Sequence, residues 1–174
     1  GRKPRAAMVA QSSPQTLQAL ERAFITGLIE PIVVGDQATF EREISTHAPG
    51  LATVDIVDEE HGIDAIRIVA DMAGSGEVDL VVHGGIMSAE LISELFRGDS
   101  NLIQPGKIAS HVAMIKSAKY PKALFVSDGV LNDQPDFVTK LAIIQNAIDL
   151  AHRLGVTKPK VAVLSAVEVV YPQM

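Results

Sequence analysis

Through the first hundred residues, short apolar runs alternate with amphipathic stretches of helical period, and Gly or Pro punctuates the joins. A chain written this way must lay its strands side by side and return over their faces, which gives a parallel sheet covered by helices. Ala6–Ala10 reads as a first strand. Ser13 then offers an N-cap, and Pro14 stands at the first helical position, where a missing N–H costs nothing. Leu17, Leu20, Phe24 and Leu28 follow at helical spacing, and Gly27 and Pro31 bracket the exit. Ile32–Val34 is a second strand ended by Gly35-Asp36, Thr39–Thr46 a short helix and Val54–Val57 a third strand. His61–Ala73 repeats the helical pattern with Ile63, Ile66, Val69 and Ala70 on one face, closed by Gly74 and Gly76. Asp79–Val82 is apolar after its first residue, as expected of a parallel strand covered on both faces. His83-Gly84-Gly85 ends it, and a helix from about Ser88 to Phe96 follows. The fold class is α/β, doubly wound.

The rhythm breaks after Gly106. Ile108–Lys116 and Ala123–Val126 are separated only by Ser117–Lys122, which contains Tyr120-Pro121, so the two strands should pair antiparallel. A domain junction is expected near residues 100–110. Pro135–Leu154 is the strongest helix, with Phe137, Leu141, Ile144, Ile148 and Ala151 as its apolar face and Gly155 as its stop. Asp136/Lys140 and Asp149/Arg153 are spaced for i,i+4 ion pairs. Lys160–Ser165 reads as one more strand.

Composition narrows the function classes. The chain has 174 residues, 15 basic against 21 acidic and a net charge of −6, with no basic run, so nucleic acid is excluded as a partner. An acidic chain that binds an anion must do so locally, with backbone N–H groups and a few placed cations. There is no cysteine, which removes disulfides, thiolate chemistry and cysteine-held metals and suits a reducing cytoplasm. The apolar runs are too short to cross a bilayer. Gly1 at the start, and an apolar run leading directly to Met174, read as cuts in a longer gene product.

Four places carry candidate chemistry. At residues 79–97, a strand end, the glycines Gly84 and Gly85, the hydroxyl of Ser88 and a helix N-terminus could seat an anion; the other reading is a tight turn that needs glycine for its geometry. Neither GxGxxG nor GxxxxGK[ST] is present, so dinucleotide and Walker-type phosphate binding are unsupported. Ser127-Asp128-Gly129 through Asn132 and Pro135 follows a strand and precedes the strongest helix, so Asp128 is either a functional carboxylate or a loop or helix cap. Ser110-His111 opens the hairpin, as a hydrogen-bonded structural histidine or a base. Ser165, Glu168 and Tyr171 end the last run. Asp58-Glu59-Glu60 before His61 reads as a solvated helix start, and the scattered histidines give no metal constellation.

The run LFVSDGVLNDQPDFVTKLAIIQNAIDLAHRLGVTKPKVAVLSAVEVVYPQM, from Leu124 to Met174, resembles the phosphate acetyl/butyryltransferase family, and its butyryl branch most. Gly27-Leu28-Ile29-Glu30-Pro31-Ile32-Val33-Val34-Gly35, Gly84 with its helix, and Ser110-His111-Val112 match in the same order. The resemblance implies the exchange of acyl-CoA and phosphate for acyl phosphate and CoA, with short-chain acetyl or butyryl groups. Coenzyme A thioester and inorganic phosphate are then substrates, no cofactor is bound, and the enzyme is a homodimer. It implies a three-layer αβα fold like that of isocitrate and isopropylmalate dehydrogenases, incomplete in this chain, with residues 1–107 in a first lobe and 108–174 starting a second. The family's serine–arginine–aspartate cluster belongs to a stretch beyond Met174. Substrate-binding positions carried over are His83, Gly84, Gly85, Ser88, Arg97, Ser110, His111, Asp128 and Asn132. Several cations of the family pattern are replaced: His83-Gly84 stands for Lys-Gly, Met87-Ser88 for Asn or His with Thr, Ser93 for an arginine and Gln104 for a basic residue. Arg97, on the same helical face as Ser93, is the candidate replacement, and Lys107 remains. The alternative is a divergent or inactive CoA- or anion-binding domain, as in a hydratase–phosphotransacylase fusion.

Overall fold

The computed structural model describes residues 2–9, 13–83 and 88–164. The chain divides into two compact units, Gly1–Ile103 and Gln104–Met174.

The first unit runs β1 (Arg5–Val9), α1 (Pro14–Ile25), β2 (Glu30–Gly35), α2 (Gln37–His47), a 3₁₀ turn (Pro49–Leu51), β3 (Asp55–Asp58), α3 (Gly62–Gly74), β4 (Leu80–His83) and α4 (Ser88–Leu95). The sheet order is β3-β2-β1-β4, parallel throughout, with Met8 opposite both Val33 and Val82. Side chains alternate across the central strands. Ala7, Val9, Ile32 and Val34 pack with Ala65, Ile66, Val69 and Met72 of α3 and Leu91 of α4. Met8 and Val33 face the other way, onto Leu17 and Leu20 of α1 and Phe40 and Ile44 of α2. The unit is therefore three layers deep, and β1, between two neighbours and two helical layers, is fully buried from Ala6 to Val9.

Local chemistry sets the element ends. Ser13 Oγ accepts from Thr16 N at 3.2 Å, and Asp36 Oδ1 from Thr39 N at 2.8 Å, so α1 and α2 each start on a side-chain cap. The fourth strand differs from expectation. It begins at Leu80, lies at the sheet edge, and is only partly covered, with Leu80 47% exposed. Asp79 stays outside it because its carboxylate takes the Arg5 N–H at 2.8 Å and Arg2 Nη2 at 2.9 Å, tying the start of β1 to that of β4.

The second unit holds β5 (Ala113–Ser117) and β6 (Tyr120–Val126), an antiparallel pair, then α5 (Phe137–Arg153). Antiparallel pairing was expected, but the strands are displaced: 108–112 lie outside β5, and β6 starts at Tyr120, so Ala118-Lys119 alone makes the turn. Residues 108–112 do not join the ladder because side chains from β6's exit and from α5 take their backbone groups, as described below. Gly155, at φ 86, stops α5 as expected. The two anticipated ion pairs do not form. Asp136 is the N-cap, accepting from Thr139 N at 2.7 Å, and Asp149 accepts from Gln145 Nε2 at 2.7 Å. The expected apolar stripe holds in part: Ala151 is buried and Ile144 and Ile148 are half-buried, but Phe137 and Leu141 are exposed, and Ile143, outside the stripe, is buried. Residues 160–164 make no strand, and Val163 and Leu164 are exposed. Among the described residues, no helix is long and apolar enough to cross a membrane.

Gly74 provides a test of the packing between α3 and the loop after α4. A Cβ there would stand 1.8 Å from the backbone oxygen of Ser100, itself a buried residue whose Oγ donates to Leu95 O at 2.6 Å. Gly74→Ala should destabilise the first unit by about 1–3 kcal/mol in urea titration, the usual cost of overpacking. Gly62→Ala, with open space around the new carbon, should be neutral or slightly stabilising. Equal effects at the two positions would refute this packing.

Candidate functional site

The best-organised polar cluster lies in the second unit, where the β6 exit meets the segment that leads into β5. Asp128 is its centre. Oδ1 accepts from the Val130 N–H at 2.9 Å and the Leu131 N–H at 3.0 Å, and Oδ2 from the His111 N–H at 3.1 Å and Asn132 Nδ2 at 2.6 Å. Asn132 Nδ2 also donates to Ala109 O at 3.0 Å. Ser127 Oγ donates to His111 O at 2.8 Å. From α5, Asn146 Nδ2 donates to Ile108 O at 3.1 Å and lies 2.9 Å from Ser110 Oγ. His111 is thus held at both backbone groups, and its neighbours Ile108, Ala109 and Ser110 are fixed by two amide side chains.

Burial by itself pushes the Asp128 carboxyl up, but donors from Val130, Leu131, Asn132 and His111 together outweigh it and hold the carboxyl down to about 2. An ionised carboxylate with both oxygens doubly engaged is a weak base and a poor direct contact for an anionic substrate. Its role on this geometry is to order the loop. The His111 ring has its Nδ1 enclosed and lacking any hydrogen-bond partner.

The candidates Ser110, His111, Asp128 and Asn132, separate in the sequence, are therefore brought into one network. Ser127, part of the candidate segment, joins the network as well, and Asn146 was missed as a member. The available signal for Asn146 was an amide three residues from Ile143, the residue that α5 buries. A surface depression of about 370 Å³ adjoins the cluster, lined by Asn132, Asp133, Gln134, Pro135, Asp136 and Thr139. It brings two carboxylates and no cation, so it does not by itself suit an anion.

In the first unit, His83 ends β4 opposite Val9. Gly84, Gly85 and Met87 lie outside the described residues, and Ser88 opens α4. Ser165, Glu168 and Tyr171 also fall outside them. Arg97 is engaged by carboxylates: Nη1 bonds Glu94 Oε2 at 2.8 Å, Nη2 bonds Asp71 at 3.4 Å, and Nε bonds Asp99. Glu94 is shared with Arg67 Nε at 3.1 Å, and hydrogen bonds first from Arg97 and then from Arg67 hold its carboxyl below the ordinary range. An anion reaching Arg97 must compete with these partners. Glu59, His61 and Asp64 place ligand-type atoms within 4.8 Å of one another. Glu59 already accepts from His61 N at 2.9 Å, Asp64 pairs with Arg67 at 3.0 Å, and His61 and Asp64 are exposed, as on a solvated helix start.

Two units, the first a parallel sheet between helical layers, place the chain among α/β proteins. The match to known proteins is more specific. A family model described as phosphate acetyl/butaryl transferase matches residues 52–174. The chain is 30% identical over 169 residues to a phosphate butyryltransferase of Clostridium acetobutylicum, covering 97% of this chain and 56% of that one. It is 31% identical over 172 residues to a phosphate acetyltransferase of Rickettsia typhi, covering 98% and 49%. A crystal structure of a branched-chain phosphotransacylase from Enterococcus faecalis V583 superposes with a TM-score of 0.77 at 24% identity, over 98% of this chain and 59% of that one, which shows a shared fold. The chain belongs to the phosphate acetyl/butyryl transferase family. It spans about half the length of the curated relatives it matches.

The Asp128 cluster predicts a pH dependence. A carboxyl whose pKa is lower in the folded state adds stability above its unfolded pKa and loses it as pH falls through the folded one. The window therefore runs from about pH 4 to about pH 2, and the increment is on the order of 1–2 kcal/mol after allowance for solvent screening. Asp128→Asn should lower the stability of the second unit at pH 7 by about 1–3 kcal/mol, because an NH₂ group then faces donors. It should also remove this pH step. Amide exchange in α5 and the β5–β6 pair reads both, and an unchanged acid profile in the variant would contradict the assignment.

Proposed function

We propose that the chain works in an acyl-CoA:phosphate acyltransferase, acyl-CoA + phosphate giving acyl phosphate + CoA, with short acetyl- or butyryl-type acyl groups. The observation that carries this reading is the family match across residues 52–174. In the reaction a phosphate oxygen attacks the thioester carbonyl carbon. The carbonyl π pair moves to oxygen, and it returns as the C–S bond breaks. CoA leaves as thiolate and takes up the proton that phosphate gives up. The protein must hold a phosphate, a CoA thioester and a developing oxyanion together, so donors and cations matter more than a covalent nucleophile.

The residues read for substrate contact are His83, Gly84, Gly85 and Ser88 at the β4–α4 turn, Arg97, and the segment from Ser110 and His111 to Asn132, ordered by Asp128. The fold is read as isocitrate/isopropylmalate dehydrogenase-like, with lobes 1–107 and 108–174. The family's serine, arginine and aspartate are placed beyond Met174, and the rest of the reading is a cytoplasmic homodimer with no bound cofactor. A second reading, an anion- or CoA-binding module without turnover, is favoured by the three carboxylates that engage Arg97.

The full-length gene product should release CoA from acetyl-, propionyl- or butyryl-CoA only when phosphate is present. No phosphate-dependent release with any of them would sink the acyltransferase reading. Calorimetry with CoA and phosphate separates the two readings, since binding without turnover supports the module.

A further inference from the structure

His111 is the one described residue with an enclosed side-chain polar atom that finds no partner. Its surroundings decide which ring nitrogen carries the proton. Nδ1 has no solvent contact and no hydrogen-bond partner. On one side it meets Gly129, where a Cβ would stand 4.0 Å away. The Asp128 carboxylate, which holds the His111 backbone N–H, does not serve it, since each oxygen already takes two donors. Asn132 and Asn146 donate elsewhere. A proton on Nδ1 would thus be a buried donor without an acceptor, rarer in folded proteins than an acceptor short of a bond. The proton belongs on Nε2, which is not enclosed in this way. Rotation of the backbone is not a way out, since His111 N–H is held by Asp128 and its C=O by Ser127 Oγ.

We propose that His111 is fixed as the Nε2–H tautomer and offers that N–H as a hydrogen-bond donor to a substrate oxygen, a phosphate or thioester carbonyl oxygen, and does not remove a proton as a base. This rests on the acyltransferase reading. It gives the site a donor that needs no positive charge, in a chain where Arg97 is already claimed by carboxylates. A histidine acting as a base would need a free lone pair facing the reacting group. Here the only lone pair of this tautomer is on Nδ1, which is enclosed against Gly129.

Two measurements test it. Long-range ¹H–¹⁵N NMR of the imidazoles, with His111 assigned by loss of its signals in His111→Gln, should show an unprotonated Nδ1 and a protonated Nε2. A protonated Nδ1 overturns the proposal in the unmutated protein, whatever the variants do. In the full-length gene product, His111→Gln keeps an N–H near the Nε2 position, whereas His111→Asn keeps one near Nδ1. The Gln variant should retain phosphate-dependent CoA release to within about tenfold, and the Asn and Ala variants should lose on the order of 10²-fold, mainly in kcat. Equal losses in all three would overturn it. If the unmutated protein shows no phosphate-dependent release, the acyltransferase reading fails by itself. Titration with inorganic phosphate then decides the donor role: His111→Gln should bind like the unmutated protein and His111→Asn more weakly, and equal affinities would overturn it.

Discussion

A single carboxylate organises the second unit. Asp128 collects N–H groups from the loop after β6, from the segment before β5 and from the Asn132 side chain. Three of these four bonds lie in half-buried places, where leaving one unmade costs about 1–3 kcal/mol. The charge makes the bonds stronger than neutral ones, which is why the carboxyl stays ionised despite burial. Replacing Asp by its neutral isostere keeps the shape, halves the acceptors and removes the charge. The positions of Ser110, His111 and Asn132 depend on this one interaction, reinforced from α5 by Asn146.

The two units rest on different physics. In the first, buried apolar side chains on both sheet faces supply the stability, each fully buried one contributing about 1.5–3 kcal/mol. In the second, among the described residues, the buried apolar side chains are Ile143 and Ala151. Met114, Leu124 and Val126 of the hairpin, and Val138 and Leu141 of α5, remain exposed. A hairpin this thinly covered is marginal unless something else ties it down. The hydrogen-bonded tether through Asp128, Ser127 and Asn146 does so at its base.

Much of the fold could be read from the sequence because its signals are local. Ser13-Pro14 caps a helix by geometry alone, Gly155 stops one by its left-handed φ, and the unbroken apolar run of β1 reads as a strand. The misses share a cause: they depend on what stands next to an element in space. Asp79–Val82 reads as a covered central strand, but its place at the sheet edge is decided by strand order, which the run itself does not encode. Asp136 and Asp149 are spaced for ion pairs, yet a nearer N–H and a neighbouring amide take them first. The site behaves the same way. Asp128, Asn132 and His111 are visible as separate polar residues after strands, but that one carboxylate joins them is a fact of tertiary contact. Asn146 is hidden because in one dimension it is an ordinary polar position on a helix.

Arg97 shows how charge balance limits what a site of this kind can use. In a chain of net charge −6, a guanidinium near carboxylates is drawn to them before it is drawn to a ligand. Asp71, Glu94 and Asp99 surround it, and Arg67 shares Glu94, so any incoming anion meets acidic groups as well as the cation. A neutral donor such as an imidazole Nε2–H meets weaker competition of this kind, because its attraction to a carboxylate is smaller than a guanidinium's.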